Sequence, residues 1–482
     1  MNQDIEKLIV QDKKKGLSDK DIGGKYGVTL KAIERIVTRE FGVNISNAAN
    51  HLLPSPKKTV KTITPKGFAL EETTVWSFKS RGSWATHNGN YRGNWSPYIP
   101  RNVILRYSKE HDLVVDCFCG AGTTGVECKL LNRNFIGIDI NSVAIELATE
   151  NTNFDVSGAS ADTKTELRVG DARDLGGIDD ATVDLVCAHP PYADIIRYTH
   201  DNEGDLSGCD VARFLDEIEK VARESYRIVK HNGHCAILIG DMRKNKNVVP
   251  LGFRTIERYL AAGFVLKELV IKRQHNCKTT GFWYSNSVKY NFLLLAHEYL
   301  AIFEKRKKGA RGGKEGAVSA PDSSNPYQGW KLTGEVNTLE STTVWIFNEK
   351  DWQRDVTLNL TKRYSSGHYV FFGKDAQDKP ETELTETDLI IAISGDNMDE
   401  LTSVAKKTLS AGGILAIVCE DVRRGDGLLV PTAMKIEQRL RGNNTLEIKE
   451  LIVVSIENAR KSNDGGSIEI THKYILIYRK TT

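Results

Sequence analysis

Two short motifs in the first half of this 482-residue sequence carry residue types that could hold a nucleoside and a planar ring. In the first motif, Gly120 and Gly122 follow an apolar segment, 112–118, and precede a helical segment. A strand, a glycine turn and a helix in this order let a ligand approach backbone amides at the helix amino terminus. The second motif is His189-Pro190-Pro191-Tyr192. Its prolines lack amide donors and leave carbonyl groups free to accept hydrogen bonds from an amino group, while the tyrosine can stack on a ring.

Two carboxylates follow the glycine turn at the ends of further predicted strands. Asp139 ends the segment 135–140 about 20 residues after the turn, a spacing at which an acid can hold ribose hydroxyls. Asp171 ends the next candidate strand. A Gly-x-Gly turn alone is weak evidence, because dinucleotide-binding and purely structural turns share it. The three successive strand ends together predict a nucleoside cofactor across the carboxyl edge of a sheet, and the alternative is a set of helix caps and turns.

The segments that must position these residues alternate between apolar strands and helices over residues 67–305, which predicts an α/β, Rossmann-like doubly wound domain. Residues 47–66 and 306–330 are rich in Pro, Lys, Gly and Ser and read as linkers. Residues 1–46 predict two short helices around a glycine turn, a helix-turn-helix-like module. Such a module could contact DNA, and the alternative is a helical hairpin that docks on the central domain.

The segment 331–482 repeats the first domain in a reduced form. Five ordered matches support the repeat: 72–78 with 341–347, 232–238 with 412–418, 240–243 with 420–423, 267–270 with 449–452, and 289–294 with 473–478. The second copy has no counterpart of the glycine turn, and Ile393-Ser394-Gly395-Asp396 stands where the first copy has its Pro-Pro-Tyr motif. We therefore expect a degenerate, inactive copy that packs on the first as a pseudo-dimer within one chain.

The composition is that of a globular protein, with 40% hydrophobic and 27% charged residues. No apolar run is long enough to span a bilayer and no secretory signal is recognised, so we expect a cytoplasmic protein. The eight cysteines lack a paired ligand spacing, which favours reduced core thiols and no metal site. A net charge of +3 does not by itself indicate nucleic-acid binding.

The segment 116–124 together with 189–192 resembles the amino-directed DNA methyltransferases, the N6-adenine/N4-cytosine family. The stretch 93–102 is similar to the element that precedes the glycine turn in that family and helps to close the cofactor site. The resemblance covers about residues 70 to 300. It implies transfer of a methyl group from S-adenosylmethionine to the N6 amino group of adenine or the N4 amino group of cytosine, in a base flipped out of double-stranded DNA.

The resemblance also implies roles for single residues. The cofactor would be bound by Asp116, Phe118, Gly120, Gly122, Thr123, Asp139, Asp171, Pro97 and Tyr98. Gly120, Gly122 and Thr123 would meet its methionine part, Asp139 its ribose and Asp171 its adenine. The target base would be held by His189, Pro190, Pro191 and Tyr192. His189 departs from the family pattern of Asp, Asn or Ser; a neutral imidazole can still accept one hydrogen bond, but the choice between adenine and cytosine stays open.

The segment 272–284 is basic and rich in amides and ends in aromatic residues. It is predicted to be a DNA-contacting loop, and the alternative is a solvated hairpin. Its contact residues would be Lys272, Arg273, Gln274, Asn276, Lys278 and Trp283, joined by Lys31 and Arg35 of the amino-terminal module. Besides double-stranded DNA, the resemblance leaves a cognate restriction endonuclease open as a partner. Two other functions compete: methylation of an RNA base, and DNA-binding regulation by a protein that retains the fold as a scaffold.

Overall fold

The computed structural model describes residues 3–14, 17, 19–29, 32–33, 36, 58–89, 91, 93–156, 163–192, 204–275, 278–307, 339–372, 387–393, 397–457 and 467–481. Within them the chain forms two α/β halves preceded by the helices α1 (Gln3–Lys14) and α2 (Asp19–Tyr26). None of the described helices combines the length and the apolar composition that a membrane crossing needs.

The first half is built on an eight-stranded sheet in which all neighbouring strands are parallel except β12, which is antiparallel to both of its neighbours. The spatial order is β2-β11-β12-β8-β7-β3-β4-β6. These strands are β2 (Val75–Ser77), β3 (Leu113–Asp116), β4 (Asn134–Asp139), β6 (Thr165–Val169), β7 (Val183–Ala188), β8 (Val229–Gly240), β11 (Val265–Arg273) and β12 (His297–Glu304). The doubly wound α/β fold predicted from the sequence is confirmed.

In the described residues of the first half, two small strand pairs and six α-helices accompany this sheet. The pairs join β1 (Lys58–Val60) to β5 (Phe154–Val156), and β9 (Met242–Lys244) to β10 (Asn247–Val249). The helices are α3 (Tyr98–Tyr107), α4 (Thr123–Leu130), α5 (Ser142–Thr152), α6 (Val211–Ile228), α7 (Leu251–Ala261) and α8 (Lys278–Tyr290). Strand β1 lies inside the segment 47–66 that was expected to be a linker, so that expectation is wrong at residues 58–60.

The sequence explains why these elements form where they do. Strand β7 is apolar on both faces and buried, as expected for a central parallel strand covered by helices on each side. Helix α6 begins after Asp210, whose side chain accepts a hydrogen bond from the Arg213 amide at 2.9 Å. Its apolar residues, including Phe214, Ile218 and Val221, recur at helical spacing and are fully buried against the sheet.

The second half is a six-stranded sheet with the order β13-β19-β20-β16-β15-β14. Its strands are β13 (Val344–Asn348), β14 (Tyr369–Phe371), β15 (Thr387–Ile393), β16 (Leu409–Cys419), β19 (Leu446–Glu457) and β20 (His472–Lys480), with a small pair β17 (Val422–Arg423) and β18 (Leu429–Val430). Its helices are α9 (Trp352–Tyr364), α10 (Met398–Thr408) and α11 (Thr432–Leu440). The order repeats that of the first sheet, and the described part of this half has no counterparts of β4 and β6.

The sheet registers correct one of the five sequence matches. Tyr299 of β12 pairs with Ile239, and Tyr474 of β20 pairs with Cys419, the repeat counterpart of Ile239. The counterpart of β20 is therefore β12, and the match of 289–294 to 473–478 is wrong. The match paired the end of helix α8 with strand β20, because both sequences have a Lys-Tyr pair followed by a short apolar segment.

The two halves contact each other reciprocally. In each half, an arginine just after the long strand β8 or its counterpart β16 pairs with a buried glutamate of the other half. Arg243 Nη2 lies 2.6 Å from Glu450 Oε2, and Arg423 Nη2 lies 2.5 Å from Glu268 Oε2. The same exchange joins a histidine to a threonine, with His472 2.7 Å from Thr74 Oγ1 and His297 2.9 Å from Thr343 Oγ1. A continuous cluster of buried apolar residues from both halves, including Phe253 and Tyr474, lies between the sheets.

Candidate active site at the carboxyl edge of the first sheet

The glycine turn connects β3 to α4 and requires glycine at both positions. Gly120 and Gly122 have φ values of +50° and +79°, in the left-handed region that side chains disfavour. A Cβ atom on Gly122 would lie 2.9 Å from the Cβ atom of Ala148 on α5. The turn therefore packs directly on the neighbouring helix, and its backbone stays close to the sheet edge.

Asp139, at the end of β4, is tied to this turn. Its carboxylate accepts hydrogen bonds from the backbone amides of Gly120 and Asn141, both at 2.9 Å. Burial raises the pKa of Asp139 to about 6, although both hydrogen bonds oppose the shift. The carboxyl group thus titrates close to neutral pH at the position where the sequence predicts a ribose contact.

A cavity of about 740 Å³, including its open mouth, lies over the glycine turn. Of the predicted cofactor residues, Phe118, Gly120, Asp139 and Asp171 line it. Other lining residues come from the segment before α3 and from residues 204–206: Tyr91, Gly93, Asn94, Trp95, Gly204, Asp205 and Leu206. The cavity thus joins three successive strand ends, as the sequence predicts.

Asp171, two residues after β6, is held by Arg173 through two guanidinium nitrogens, the shorter contact being 2.6 Å. Burial raises the pKa of Asp171, but the hydrogen bonds and charge of Arg173 outweigh burial and keep the pKa below its usual value. Asp171 is therefore a fixed, ionised acceptor at the cavity wall.

The other predicted cofactor residues do not belong to the described lining of this cavity. Asp116 lies beneath the turn, where it accepts hydrogen bonds from the Phe118 amide at 3.0 Å and from Thr124 Oγ1, and burial raises its pKa to about 7. Thr123 donates to the side chain of the lining residue Asn94. Tyr98 stacks on Phe78 at 5.1 Å, and Pro97 precedes α3. Asp116 and Thr123 therefore hold the lining residues Phe118 and Asn94 through hydrogen bonds.

The His-Pro-Pro-Tyr motif follows β7 and separates this cavity from a second cleft. His189 stacks on Trp95, with ring centroids 5.6 Å apart and planes 22° from parallel. Both residues line both cavities, as do Gly93, Asn94 and Pro191. Pro190 and Tyr192 face the second cleft. The two spaces therefore share one wall, and that wall is the predicted target-base ledge.

The second cleft is larger, about 2530 Å³ including its open mouth. Its wall combines aromatic and basic side chains: Phe78, Trp95, Trp283 and Phe292 with Lys79, Arg81, Arg243, Lys246, Lys272 and His275. Two carboxylates, Asp241 and Glu298, also line it. A cleft with this excess of cations beside a stacking surface suits a polyanion that carries planar bases.

Tyr192 and His189 belong to a partly buried chain of hydrogen bonds. His189 Nε2 lies 2.7 Å from the Tyr192 hydroxyl, which donates to Glu298 Oε1 at 2.7 Å, and Lys272 Nζ lies 2.7 Å from Glu298 Oε2. Burial lowers the pKa of His189 to about 4. Burial would raise the pKa of Glu298, but Lys272 and the hydrogen bonds prevail and lower it to about 2. At neutral pH the imidazole is uncharged and the carboxylate is ionised.

The predicted DNA-contacting loop has a different structure. Lys272 and Arg273 end strand β11, Gln274 follows it, and Lys278 begins α8, which contains Trp283. The expectation of a loop is wrong because the aromatic run 282–284 lies on a helix. Lys272, Gln274 and Trp283 line the second cleft, whereas Arg273 is not in its described lining. Asn276, Lys31 and Arg35 and the side chain of Lys278 lie outside the described residues.

The amino-terminal helices pack on the wall of the cavity over the glycine turn. Ile9 of α1 and Ile22 of α2 are fully buried in a cluster with Tyr91, Ala121 and Ala144. Ala121 is the residue between the two glycines of the turn, and Tyr91 lines the cavity. This contact agrees with the docked-hairpin alternative for the first 46 residues.

Sequence reasoning missed several residues of this region. Tyr91 and Leu206 line the cavity over the glycine turn without belonging to any motif, and no role was predicted for Trp95 itself. Glu298 was missed altogether, because a glutamate in an apolar strand more than a hundred residues from Tyr192 gives no local signal. The repeat offered a signal: once β12 and β20 are aligned, Glu298 corresponds to Lys473.

Comparison with known proteins supplies independent evidence. A family model described as DNA methylase, N6_N4_Mtase, matches residues 11–150 and 183–384, which make up more than half of the chain. Among curated proteins, the Type II methyltransferase M.HpaI of Haemophilus parainfluenzae is 48% identical over 18% of this chain and 27% of its own length. The Type II methyltransferase M.MthZI of Methanothermobacter thermautotrophicus is 26% identical over 39% of this chain and 52% of its own.

A third relative, the Type II methyltransferase M2.LlaDCHI of Lactococcus lactis subsp. cremoris, is 39% identical over 16% of this chain and 29% of its own length. The chain thus matches less than a third of the length of two of these relatives and about half of the length of M.MthZI. Among solved structures, a TehB-like SAM-dependent methyltransferase from Corynebacterium glutamicum is 14% identical over 43% of this chain and 87% of its own, with a TM-score of 0.27. That similarity is too distant to bear on function.

Proposed function

The chain belongs to the N6/N4 DNA methylase family, and from this membership we propose that it methylates an exocyclic amino group of a base in DNA. Membership confirms the family resemblance predicted from the two motifs, and the cofactor is S-adenosylmethionine. The observation that carries the proposal is the shared wall: His189, Pro191 and Trp95 line both the cavity over the glycine turn and the basic, aromatic cleft. A donor and an acceptor bound in the two spaces would meet at this wall.

The residues of the first cavity fit the cofactor. When bound, S-adenosylmethionine supplies an electrophilic methyl group on its sulfonium. Gly120 brings backbone close to the ligand, because it has no side chain, and the Asp139 carboxylate can accept hydrogen bonds from ribose hydroxyls. Asp171, held by Arg173, is an acceptor for the adenine amino group. Asp116 and Thr123 would act indirectly, through their hydrogen bonds to Phe118 and Asn94, and Gly122 through the close packing of the turn on α5.

The His-Pro-Pro-Tyr ledge would hold the base. An exocyclic amino nitrogen is a poor nucleophile because its lone pair is delocalised into the ring. The carbonyl groups of the proline segment can accept the amino hydrogens, which favours tetrahedral character at nitrogen as it gains the methyl group and gives up one proton. His189, uncharged at neutral pH, would lie beside the base in this wall. Tyr192 would stack on the base, which must leave the duplex to reach this wall.

The cationic side chains of the second cleft would contact phosphates. Lys79, Arg81 and Lys246 lie along its wall with the aromatic Trp283. Phosphate contacts fix the register of a protein on a duplex, and the groove contacts that read a sequence come from other side chains. The second half would then extend the DNA-binding surface.

The test is methyl incorporation from labelled S-adenosylmethionine into duplex DNA and RNA of matched sequence, followed by modified-base sequencing. We expect label in DNA, at N6 of adenine or N4 of cytosine. Tyr192→Ala should abolish incorporation while cofactor binding persists, because Tyr192 does not line the cofactor cavity. Label in RNA alone would support an RNA enzyme, and DNA binding without incorporation would support a regulator.

A further inference from the structure

We propose that Glu298 is a positioning residue that holds the Tyr192 ring against the target base, with Lys272 as the cation that keeps its carboxylate charged. The proposal rests on the function proposed above, in which Tyr192 stacks on the base. Glu298 lies on β12, next to β8 in the sheet, whereas Tyr192 follows β7. The contact therefore connects the ledge to the rigid centre of the sheet.

The backbone beneath the Tyr192 ring leaves room for this arrangement. Glu298 pairs in register with Gly240, the last residue of β8. A Cβ atom on Gly240 would lie 2.9 Å from Tyr192 Cε2 and 3.5 Å from Glu298 Cγ. The Tyr192 ring thus packs on Gly240, and its hydroxyl is bonded to Glu298. The first contact fixes the plane of the ring, and the second fixes the position of the hydroxyl.

The charge on Glu298 decides the direction of the hydrogen bond. A phenol hydroxyl has a single proton, and an ionised carboxylate beside Lys272 is a stronger acceptor than a neutral imidazole. Tyr192 therefore donates to Glu298, and its oxygen remains an acceptor towards His189. A ring held in one orientation before the base arrives does not have to be ordered during binding.

The second half provides an independent argument. The three positions that make up this support differ in the degenerate copy: Gly240 corresponds to Glu420, Glu298 to Lys473, and Lys272 to Val454. The neighbouring positions that join the halves are kept, since Arg243 corresponds to Arg423. A carboxylate needed only for the stability of the sheet would have no reason to disappear together with the ledge.

The experiment compares Glu298→Gln, Glu298→Ala, Tyr192→Phe and the double variant Tyr192→Phe/Glu298→Ala. We expect Glu298→Ala and Tyr192→Phe each to lower kcat/KM for DNA roughly 10- to 100-fold, the size of losing one hydrogen bond to a charged group. Glu298→Gln, whose amide oxygen still accepts from Tyr192, should lose less. The double variant should be no worse than the worse single variant, because both changes remove the same contact.

The matched control is Glu304→Gln, which breaks an ion pair of 3.2 Å with Lys267 on the same two strands, away from the cleft. It should leave kcat/KM within about twofold, as expected for a partly exposed pair. The dissociation constant for S-adenosylmethionine should be unchanged in every variant. A second readout without cofactor is the fluorescence of 2-aminopurine at the target position, which should rise on binding to wild type and less on binding to Glu298→Ala.

Multiplicative losses in the double variant, or a Glu298→Ala variant that behaves like the Glu304→Gln control, would overturn the positioning role. A loss of cofactor affinity in Glu298→Ala would also overturn it, since that result indicates a general structural role. These outcomes differ from a failure of the proposed function, in which the wild-type protein itself would transfer no methyl group to DNA.

Discussion

The two halves of the chain contain six equivalent strands in the same spatial order, but they differ at the edge of the sheet. In the first half β4 and β6 extend the sheet and bring Asp139 and Asp171 beside the glycine turn. In the second half β14 is the last described strand on that side. The strands that are absent from its described part are those that carry the two carboxylates of the cavity over the glycine turn, whereas the strands that form the centre of the sheet are kept.

The contacts between the halves show the opposite pattern. Arg243 with Glu450 and Arg423 with Glu268 are repeated, and both glutamates are almost fully buried. This difference separates two kinds of residue. The charged residues that join the two sheets are needed in both halves, whereas the residues proposed for the chemistry are needed in one half. We infer that the second half is retained for this interface and for the surface that it adds.

The largest expected effect comes from two left-handed glycines, one in each half. Gly122 and Gly412 have φ values of +79° and +81°, but a Cβ on Gly122 would meet Ala148, whereas nothing lies within 4 Å of a Cβ on Gly412. Gly122→Ala should weaken S-adenosylmethionine binding by about 100-fold through backbone strain and overlap. Gly412→Ala should leave binding unchanged. Calorimetric titration of both variants checks this, and equal losses would contradict the comparison.

The next effect concerns the reciprocal ion pairs. Arg243→Ala and Arg423→Ala each leave a buried glutamate without its cation, which should lower the free energy of unfolding by about 3 kcal/mol in either case. Denaturant titration measures this, with Arg223→Ala as the control because its pair with Glu219 is largely exposed and should contribute less than ~0.5 kcal/mol. If only one of the two variants were destabilised, the interface would be symmetric in geometry but not in energy.

Much of the first half could be predicted because its signals are local. A glycine turn between an apolar strand and a helix, followed by acids at strand ends, determines a fold and a ligand edge together. Asp139 and Asp171 line the predicted cavity for this reason. Tyr98, in contrast, was assigned by resemblance alone, and the structure stacks it on Phe78, a residue that lines the second cleft.

What could not be predicted depends on register and on distant pairing. The partner of Tyr192 is set by how β12 aligns with β8, and a register shift of one residue would turn Glu298 to the other face. The segment around Trp283 was taken for a loop because lysines, amides and aromatics in a row do not reveal that the chain has begun a helix. The mistaken match of 289–294 to 473–478 has the same origin, since apolar strings fit strands and helices alike.

A smaller effect is the pH dependence of S-adenosylmethionine binding to the first half, which depends on Asp139. Because burial raises the pKa of Asp139 to about 6, its carboxyl group gains a proton as the pH falls through 6 and then no longer accepts two ribose hydrogen bonds. The affinity for S-adenosylmethionine should therefore fall about tenfold per pH unit below 6. Asp139→Asn should bind more weakly at pH 8 and show no such slope. His189 should not contribute a slope above pH 5, because its pKa is about 4.

The smallest expected effect is at Lys473, the counterpart of Glu298. Its amine pairs with the exposed Glu420 and lies 5.1 Å from the centre of the Trp352 ring, so its removal leaves no buried charge. Lys473→Ala should change the free energy of unfolding by less than ~0.5 kcal/mol and leave methylation rates within about twofold. Glu298→Ala, at the same place in the other sheet, should lose at least tenfold in kcat/KM for DNA. If Lys473→Ala instead lowered DNA affinity several-fold, the edge of the second sheet would itself contact DNA. The second half would then bind substrate in addition to packing on the first half.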